Sequence, residues 1–349
     1  MERWTMAVPC LFGLEGLVGD ELRRMGMEDV RVEDRRVFFT GGAAELARAN
    51  IGLRMGERVM ILLARFPARS FEELYQGVKA IPLERFVPRE GAFPVKGYSL
   101  DSQLHSVPDC QSILKKAAVE RLKSVYHTSW FTESGAIHPL HFTIRKNIAT
   151  IYLDTSGIGL HKRGYRKNAN AAPIKETLAA GIVDLARVHS DSVVCDPFCG
   201  SGTFPIEAAM MAANIAPGMN RSFTAEAWTH LIPKQMWYDV VEEAEEMVDT
   251  DISCDLQGYD IDPDMIRIAR ANAKQAGVDH LIHFQQRDVA DLKHSKKYGF
   301  IITNPPYGER LEDKKDLPAL YTTIGQVYRD LAVKLMYLIT SYEEAERYI

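Results

Sequence analysis

At 349 residues the chain is long for one domain and comfortable for two or three. Its 46% hydrophobic and 26% charged residues are those of an ordinary globular protein and exclude the disordered and fibrous classes. With a net charge of −5, any nucleic-acid partner must be met by a local basic patch and not by global charge. The five cysteines (Cys10, Cys110, Cys195, Cys199, Cys254) form no CxxC pair and no zinc-type spacing, so they predict reduced thiols and a cytoplasmic setting. No signal peptide is expected at the N-terminus, and no run of about 18 apolar residues predicts a membrane span.

Residues 4–10 predict a short strand, after which Leu14, Leu17, Val18, Leu22 and Met25 recur at helical spacing up to Gly26. Val30 to Val32 and Arg36 to Thr40 predict two strands around the turn Glu33-Asp34-Arg35. Ala43 to Ile51 then predicts a helix and Arg58 to Ala64 an apolar strand. This order is that of a small ferredoxin-like α+β sandwich, expected over residues 1–56.

A second α+β unit is expected over residues 57–160. Ser70 caps a helix running to Lys79, with Glu72 and Glu73 in its first turn. Phe93 to Tyr98 is a candidate strand. Pro108-Asp109 opens a helix whose apolar face (Ile113, Leu114, Ala117, Leu122) lies beside Lys115 and Lys116. Leu140 to Arg145 and Ala149 to Asp154 pair as a hairpin across Lys146-Asn147.

Between Arg145 and Lys167 stand six basic residues (Arg145, Lys146, Lys162, Arg163, Arg166, Lys167) and a single acid, Asp154, with His161 and Tyr165 interleaved. Cations that neutralise phosphates, with an aromatic ring for stacking, make these residues candidate nucleic-acid contacts together with Lys115 and Lys116. The competing reading is a solvated hairpin edge followed by a linker. Gly157 and Gly159 mark a hinge, and Pro173 starts a helix with the stripe Ile174, Leu178, Ile182 and Leu185.

The last domain, expected over residues 161–349, opens with the buried strand Ser192 to Asp196, which runs through Pro197-Phe198-Cys199-Gly200-Ser201-Gly202-Thr203 into a helix from Phe204 to Ala213. Strand, glycine turn and helix form the nucleotide-binding start of a doubly wound sheet. No Gly-Lys-Ser/Thr follows, so this is not a phosphate-binding P-loop. The next strand-end acid, Asp260, lies far beyond the spacing of about 20 residues expected of a dinucleotide fold. The extra length is an insertion from about Asn214 to Asp251 that contains an acidic helix, Lys234 to Val248.

Leu281 to Gln286, Phe300 to Thr303 and Leu335 to Thr340 predict further strands, with helices Pro263 to Ala276 and Leu317 to Val333 between them. The alternation predicts a parallel sheet, with ligands at the carboxyl ends of its strands. Asp196, Asp260, Asp288 and Asn304 all fall at such ends and are expected to line one crevice. In Asn304-Pro305-Pro306-Tyr307 two prolines remove two backbone donors, so the tip offers acceptors and, at Tyr307, a flat ring. A planar base carrying an exocyclic amine suits it; a bare proline turn is the structural alternative.

Asp196 to Thr203 followed by Asn304-Pro305-Pro306-Tyr307-Gly308 resembles the paired signature of class I S-adenosylmethionine-dependent methyltransferases that act on exocyclic amines of bases. The longer Asn304 to Leu311 and His161-Lys162-Arg163-Gly164-Tyr165-Arg166 resemble a narrower group, the bacterial THUMP-domain RNA methyltransferases, and among them the enzymes that make N2-methylguanosine in large-subunit ribosomal RNA. The resemblance implies an α/β Rossmann-like catalytic domain preceded by ferredoxin-like and THUMP domains, with RNA as partner. By position, Phe198, Cys199, Gly200, Ser201, Gly202 and Thr203 would hold the methionine part of the cofactor. Asp260 would bind the ribose, Ile261 would lie against the adenine and Asp288 would accept from its amine. Asn304, Pro305, Pro306 and Tyr307 would hold the acceptor base. The sulfonium methyl is already an electrophile, so no metal is required. Domains of this kind end in an antiparallel hairpin after the fifth strand, and here the chain closes instead on the helix-like stretch Glu343 to Ile349.

Asn-Pro-Pro-Tyr serves guanine N2 and adenine N6 alike, so a transfer-RNA guanine or an adenine in nucleic acid is the nearest rival substrate. A non-catalytic RNA-binding or assembly protein is the rival from another class. A dehydrogenase is disfavoured by the acid spacing.

Overall fold

A computed structural model of the chain describes residues 2–166, 173–293, 299–308, 315–331 and 335–349. The chain divides into two compact units: Met1–Leu160 with Ser222–Glu242, and His161–Arg221 with Glu243–Ile349.

The first unit runs β1 (Trp4–Pro9), α1 (Glu15–Arg24), β2 (Glu28–Glu33), β3 (Arg36–Gly41), α2 (Ala43–Gly52), β4 (Met60–Pro67), α3 (Phe71–Lys79), β5 (Val95–Leu100), α4 (Val107–Tyr126), β6 (Leu140–Arg145) and β7 (Ile148–Asp154). The ferredoxin-like and THUMP-like halves share one seven-stranded sheet, ordered β2-β3-β1-β4-β7-β6-β5. The seam is the antiparallel pair β4–β7, which runs from Met60↔Asp154 to Pro67↔Ile148. Ser70 caps α3 by accepting from the Glu73 N–H at 3.2 Å. Lys146 and Asn147 join β6 to β7 with φ of 50° and 61°, the conformation a two-residue hairpin of this twist requires.

Residues 222–242, part of the stretch expected to be an insertion in the last domain, belong to the first unit. Trp228 is fully buried there; its indole N–H donates to the Ile137 carbonyl at 2.9 Å, and its ring stacks on His138 at 4.9 Å. Burial pushes His138 down to about 4, so this ring is neutral in the stack. Gly157, expected to be a hinge, serves a close approach: its φ is +75° and a Cβ there would lie 2.0 Å from Thr224 Oγ1. A chain cut at residue 160 would strip this segment of its partners.

The second unit contains α5 (Glu176–Leu185), β8 (Val193–Asp196), α6 (Thr203–Ala212), β9 (Asp255–Asp260), α8 (Pro263–Ala276), β10 (Ile282–Gln286), β11 (Phe300–Thr303), α9 (Leu317–Asp330) and β12 (Leu335–Leu338), while the acidic helix α7 (Lys234–Glu246) begins in the first unit. Its five-stranded sheet is ordered β10-β9-β8-β11-β12 and all its pairs are parallel. The order reverses between β8 and β11, the switch point where such sheets bind ligands. Val194, Phe204, Ile206, Ile266, Phe284 and Ile302 share one core cluster there. Pro173 does not open α5. That helix starts at Glu176, after the extended N-cap Lys175, and the Arg166 guanidinium donates to the Ile174 carbonyl just before it at 3.3 Å.

Gly157→Ala is expected to destabilise the protein by at least about 1 kcal/mol, the scale of one strained left-handed residue, before the clash with Thr224 is added. Denaturant titration of Gly157→Ala, Thr224→Ala and the double variant should show a positive coupling, with part of the loss recovered in the double. Additive losses would contradict the close-approach account.

Candidate cofactor crevice and active site

The crevice is built from strand ends. β8 delivers Asp196, β9 delivers Asp260, Asp288 follows β10 and Asn304 follows β11. Backbone hydrogen bonds tie the glycine loop to the neighbouring strand tip: the Cys199 N–H donates to the Tyr259 carbonyl at 2.8 Å, and the Gly200 N–H to Asp260 Oδ2 at 2.9 Å. Gly202 caps α6 in the left-handed region with φ +86°, and a Cβ there would press on Ala269 and Phe284 at 3.1 Å. The loop is therefore shaped by packing as well as by its open side.

The far oxygen of Asp260 accepts from the Asp262 N–H at 2.9 Å. Each carboxylate oxygen has two lone pairs, so acceptor capacity remains at this strand end for a pair of hydroxyls. Ile261 is 65% exposed and offers an apolar surface beside it. Asp288 is exposed, with Oδ1 accepting from the Ala290 N–H at 2.9 Å. An acid at one strand end, an apolar face next to it and a helix N-terminus across the loop form a donor and acceptor set that fits a nucleoside carrying an amino-acid tail.

Asp196 stands apart from the other acids. It is 1% exposed, and its Oδ1 accepts from the Phe198 N–H at 3.1 Å and from the Thr303 hydroxyl at 2.7 Å. One buried carboxylate thus joins the first turn of the glycine loop to the residue immediately before Asn304. Burial pushes its pKa up to about 7; the two hydrogen bonds pull it down and the neighbouring Asp260 charge adds to the rise. Burial also raises the Cys195 and Cys199 thiols, with Asp196 as the leading charge on both, so neither is an activated nucleophile.

The acceptor tip is held from behind. Pro305 is buried, Asn304 and Tyr307 are half-buried and Pro306 is exposed. The Tyr321 hydroxyl, from the buried face of α9, donates to the Pro306 carbonyl at 3.2 Å and lies 2.6 Å from Thr340 Oγ1. Sequence reasoning missed Thr303 and Tyr321. It also missed Asn272, whose amide donates to the Ser201 carbonyl at 2.9 Å. A threonine ending an otherwise apolar strand is the one signal that was available.

The candidate nucleic-acid residues separate into groups. Arg163 and Tyr165 are each 2% exposed: the Arg163 guanidinium lies 3.2 Å from Glu207 Oε2, and the Tyr165 hydroxyl donates to Glu207 Oε1 at 3.0 Å. They cannot touch RNA from there. They anchor α6, the helix behind the glycine loop, because a buried guanidinium is held only where a carboxylate compensates it. Arg166 serves the same helix, pairing with Glu176 at 3.5 Å and donating to the Thr203 hydroxyl. Lys115 is taken up by Glu133 at 2.7 Å and by the Phe93 ring at 3.5 Å, and Lys116 is exposed, 5.9 Å from the Tyr75 ring. Arg145, Lys146 and Lys162 remain at the surface, and Lys167 lies outside the described residues.

The models of three protein families match the chain. An RlmL ferredoxin-like domain matches residues 5–60, a THUMP domain residues 68–154, and an RMKL-like methyltransferase domain residues 163–349. The chain belongs to the RMKL-like methyltransferase family. It is 43% identical over 99% of its length to YpsC of Bacillus subtilis (strain 168), which bears the name of an RNA methyltransferase and of which it covers 90%. It is 31% identical to the ribosomal RNA large subunit methyltransferase K/L of Cellvibrio japonicus (strain Ueda107) over 92% of the chain, spanning only 44% of that longer protein. Among solved structures, a Listeria monocytogenes protein described as an N6-adenine-specific DNA methylase superposes with a TM-score of 0.93 at 45% identity, covering 99% of this chain and 91% of the other. SMU.472, solved in complex with SAH, superposes at 0.92 with 39% identity, covering 99% and 92%. This RMKL-like chain pairs a two-part N-terminal unit with a parallel-sheet methyltransferase domain.

The folded value of Asp196 lies above the ordinary 3.8, so folding favours its protonated form, and the cost of burying its charge is full above pH 7. Asp196→Asn should therefore melt higher than wild type above pH 7, by roughly 3 °C or more, with the difference shrinking as pH falls through 7 toward 4. Calorimetric scans across this range check the sign; a difference independent of pH would contradict it.

Proposed function

We propose that the chain transfers the methyl group of S-adenosylmethionine to the exocyclic N2 amine of a guanosine in large-subunit ribosomal RNA. The observation that carries this reading is the 2.7 Å bond from Thr303 to Asp196, which fastens the strand bearing Asn304 to the glycine loop at the switch point of the sheet. Methyl donor and acceptor amine then meet at one place. Support for the donor comes from the fit of the loop, Asp260 and Ile261 to a nucleoside with an amino-acid tail, and from the SAH complex of SMU.472. Support for ribosomal RNA comes from the THUMP match and from the K/L relatives' names.

When bound, S-adenosylmethionine supplies a methyl group that is already electrophilic. The work of the chain is to prepare the nucleophile, because the lone pair of guanine N2 is delocalised into the ring. The Asn304 side-chain oxygen and the Pro305 carbonyl accept the two N–H bonds, favouring a pyramidal nitrogen with its lone pair free. The Tyr307 ring stacks on the base. Asn304 is not a base, and the proton leaves to water late; orientation and stabilisation of developing charge account for the rate. The roles of Phe198 to Thr203, Asp260, Ile261 and Asp288 in holding the donor belong to the same proposal. Adenine N6 is the second reading, favoured by the description of the Listeria relative.

Asn304→Ala should retain S-adenosylhomocysteine binding by calorimetry and lose at least about two orders of magnitude in turnover on ribosomal RNA, the scale of losing one aligned polar group. Methyl transfer near the wild-type rate by that variant would overturn the mechanism.

A further inference from the structure

The burial of Arg163 and Tyr165 and the engagement of Lys115 leave open where a polyanion would rest on the first unit. The register of its sheet answers this. Side chains alternate between faces along a strand, and cross-strand partners share a face. One face sends Val8, Phe39, Ile61, Phe142 and Ile151 into the helix-covered core, all nearly inaccessible. The opposite face carries two rows: Arg65↔Thr150↔Thr143↔Tyr98, and Leu62↔Tyr152↔His141↔Lys96. Arg31↔Phe38↔Ala7↔Met60 continues the second face across the ferredoxin-like half.

On this second face Tyr98 is 52% exposed. Two adjoining grooves of about 400 and 210 Å³ run along it and share Arg36 and Thr143. Ala7, Met60 and Tyr152 line the second groove and form one buried cluster with Phe38. The Arg31 guanidinium lies 5.8 Å from the Phe38 ring centre, and Arg36 Nη1 donates to the Tyr152 hydroxyl at 2.6 Å. Acids are present but mostly committed: Glu33 faces Arg65 at 3.8 Å, Asp34 pairs with Arg145 at 2.6 Å and Asp154 with Arg58 at 2.6 Å. Among the described residues, Arg31, Arg36, Lys96 and Lys146 pair with no carboxylate. At the far edge Arg35, which also lines the groove, lies 5.7 Å from the ring of Phe12, itself 76% exposed.

We infer that this open sheet face is a docking surface for single-stranded RNA, with Arg31, Arg36, Lys96 and Lys146 on phosphates and Tyr98 stacked on a base. The inference rests on the reading of the chain as an RNA methyltransferase. The surplus of unpaired cations gives the charge complementarity, in a chain whose net charge of −5 would otherwise repel a polyanion. Exposed rings at both ends of the groove supply sequence-tolerant stacking, which only unpaired bases can accept. A shallow sheet face reads splayed bases; an A-form duplex hides them.

The test uses the full chain, anisotropy of a short fluorescein-labelled oligouridine, and the matching RNA duplex. Arg31, Lys96 and Lys146 are exposed, so their joint replacement by Glu should leave melting and S-adenosylhomocysteine affinity unchanged. It should weaken oligouridine binding by at least about tenfold and flatten the salt dependence by about one unit of slope per lost phosphate contact. Tyr98→Ala should weaken binding about fivefold or more with the slope unchanged. Lys79→Glu, on the helix-covered side, should bind as wild type. Wild-type affinity in the triple variant, an equal loss from Lys79→Glu, or duplex binding as tight as single-strand binding would each overturn the surface. A wild-type chain that binds oligouridine through this face yet methylates no RNA would support the surface and overturn the catalytic reading.

Discussion

The arrangement of the catalytic unit depends on one buried hydrogen bond, from the Thr303 hydroxyl to the Asp196 carboxylate. Backbone pairing brings β11 alongside β8 only through Phe300↔Val194 and Ile301↔Cys195, and beyond that the two strand tips must part to leave room for ligands. A carboxylate with 1% exposure, shared between the glycine loop and the strand that carries Asn304, closes the gap. A buried acid would ordinarily be a liability. Here it fixes the position and orientation of two strand tips, and Tyr321 bracing the Pro306 carbonyl extends the same constraint to the proline turn.

Behind the glycine loop a second polar cluster sets the helix. Glu207, fully buried on α6, receives both Arg163 and Tyr165, while Arg166 ties Thr203, Glu176 and the Ile174 carbonyl together. The motif His161-Lys162-Arg163-Gly164-Tyr165-Arg166 is therefore a clasp on the helix behind the glycine loop. Its charge misleads in the sequence because the partner that neutralises it, Glu207, is far along the chain and sits inside an apolar helix, where no local pattern advertises it.

Periodicity made most of the elements legible. The helix at Pro263 to Ala276 and the strand at Phe300 to Thr303 match their predicted bounds, since a proline start and a short apolar run leave little freedom. The four strand-end polar residues were equally legible, because parallel-sheet topology places them without side-chain knowledge. Long-range pairing was hidden. Nothing local marks β4 as the seam of a single seven-stranded sheet, or residues 222–242 as part of the first unit. Gly157 read as a hinge because a glycine required by a passing side chain looks the same in sequence as one required for motion.

Presentation of a guanine amine of ribosomal RNA to a methyl donor, as proposed for this crevice, is tested most directly by incubating the purified chain with S-adenosylmethionine and unmodified large-subunit ribosomal RNA, then identifying the methylated nucleoside by mass spectrometry. N2-methylguanosine at a single site is the predicted product. N6-methyladenosine, or no methylated nucleoside at all, would contradict the account.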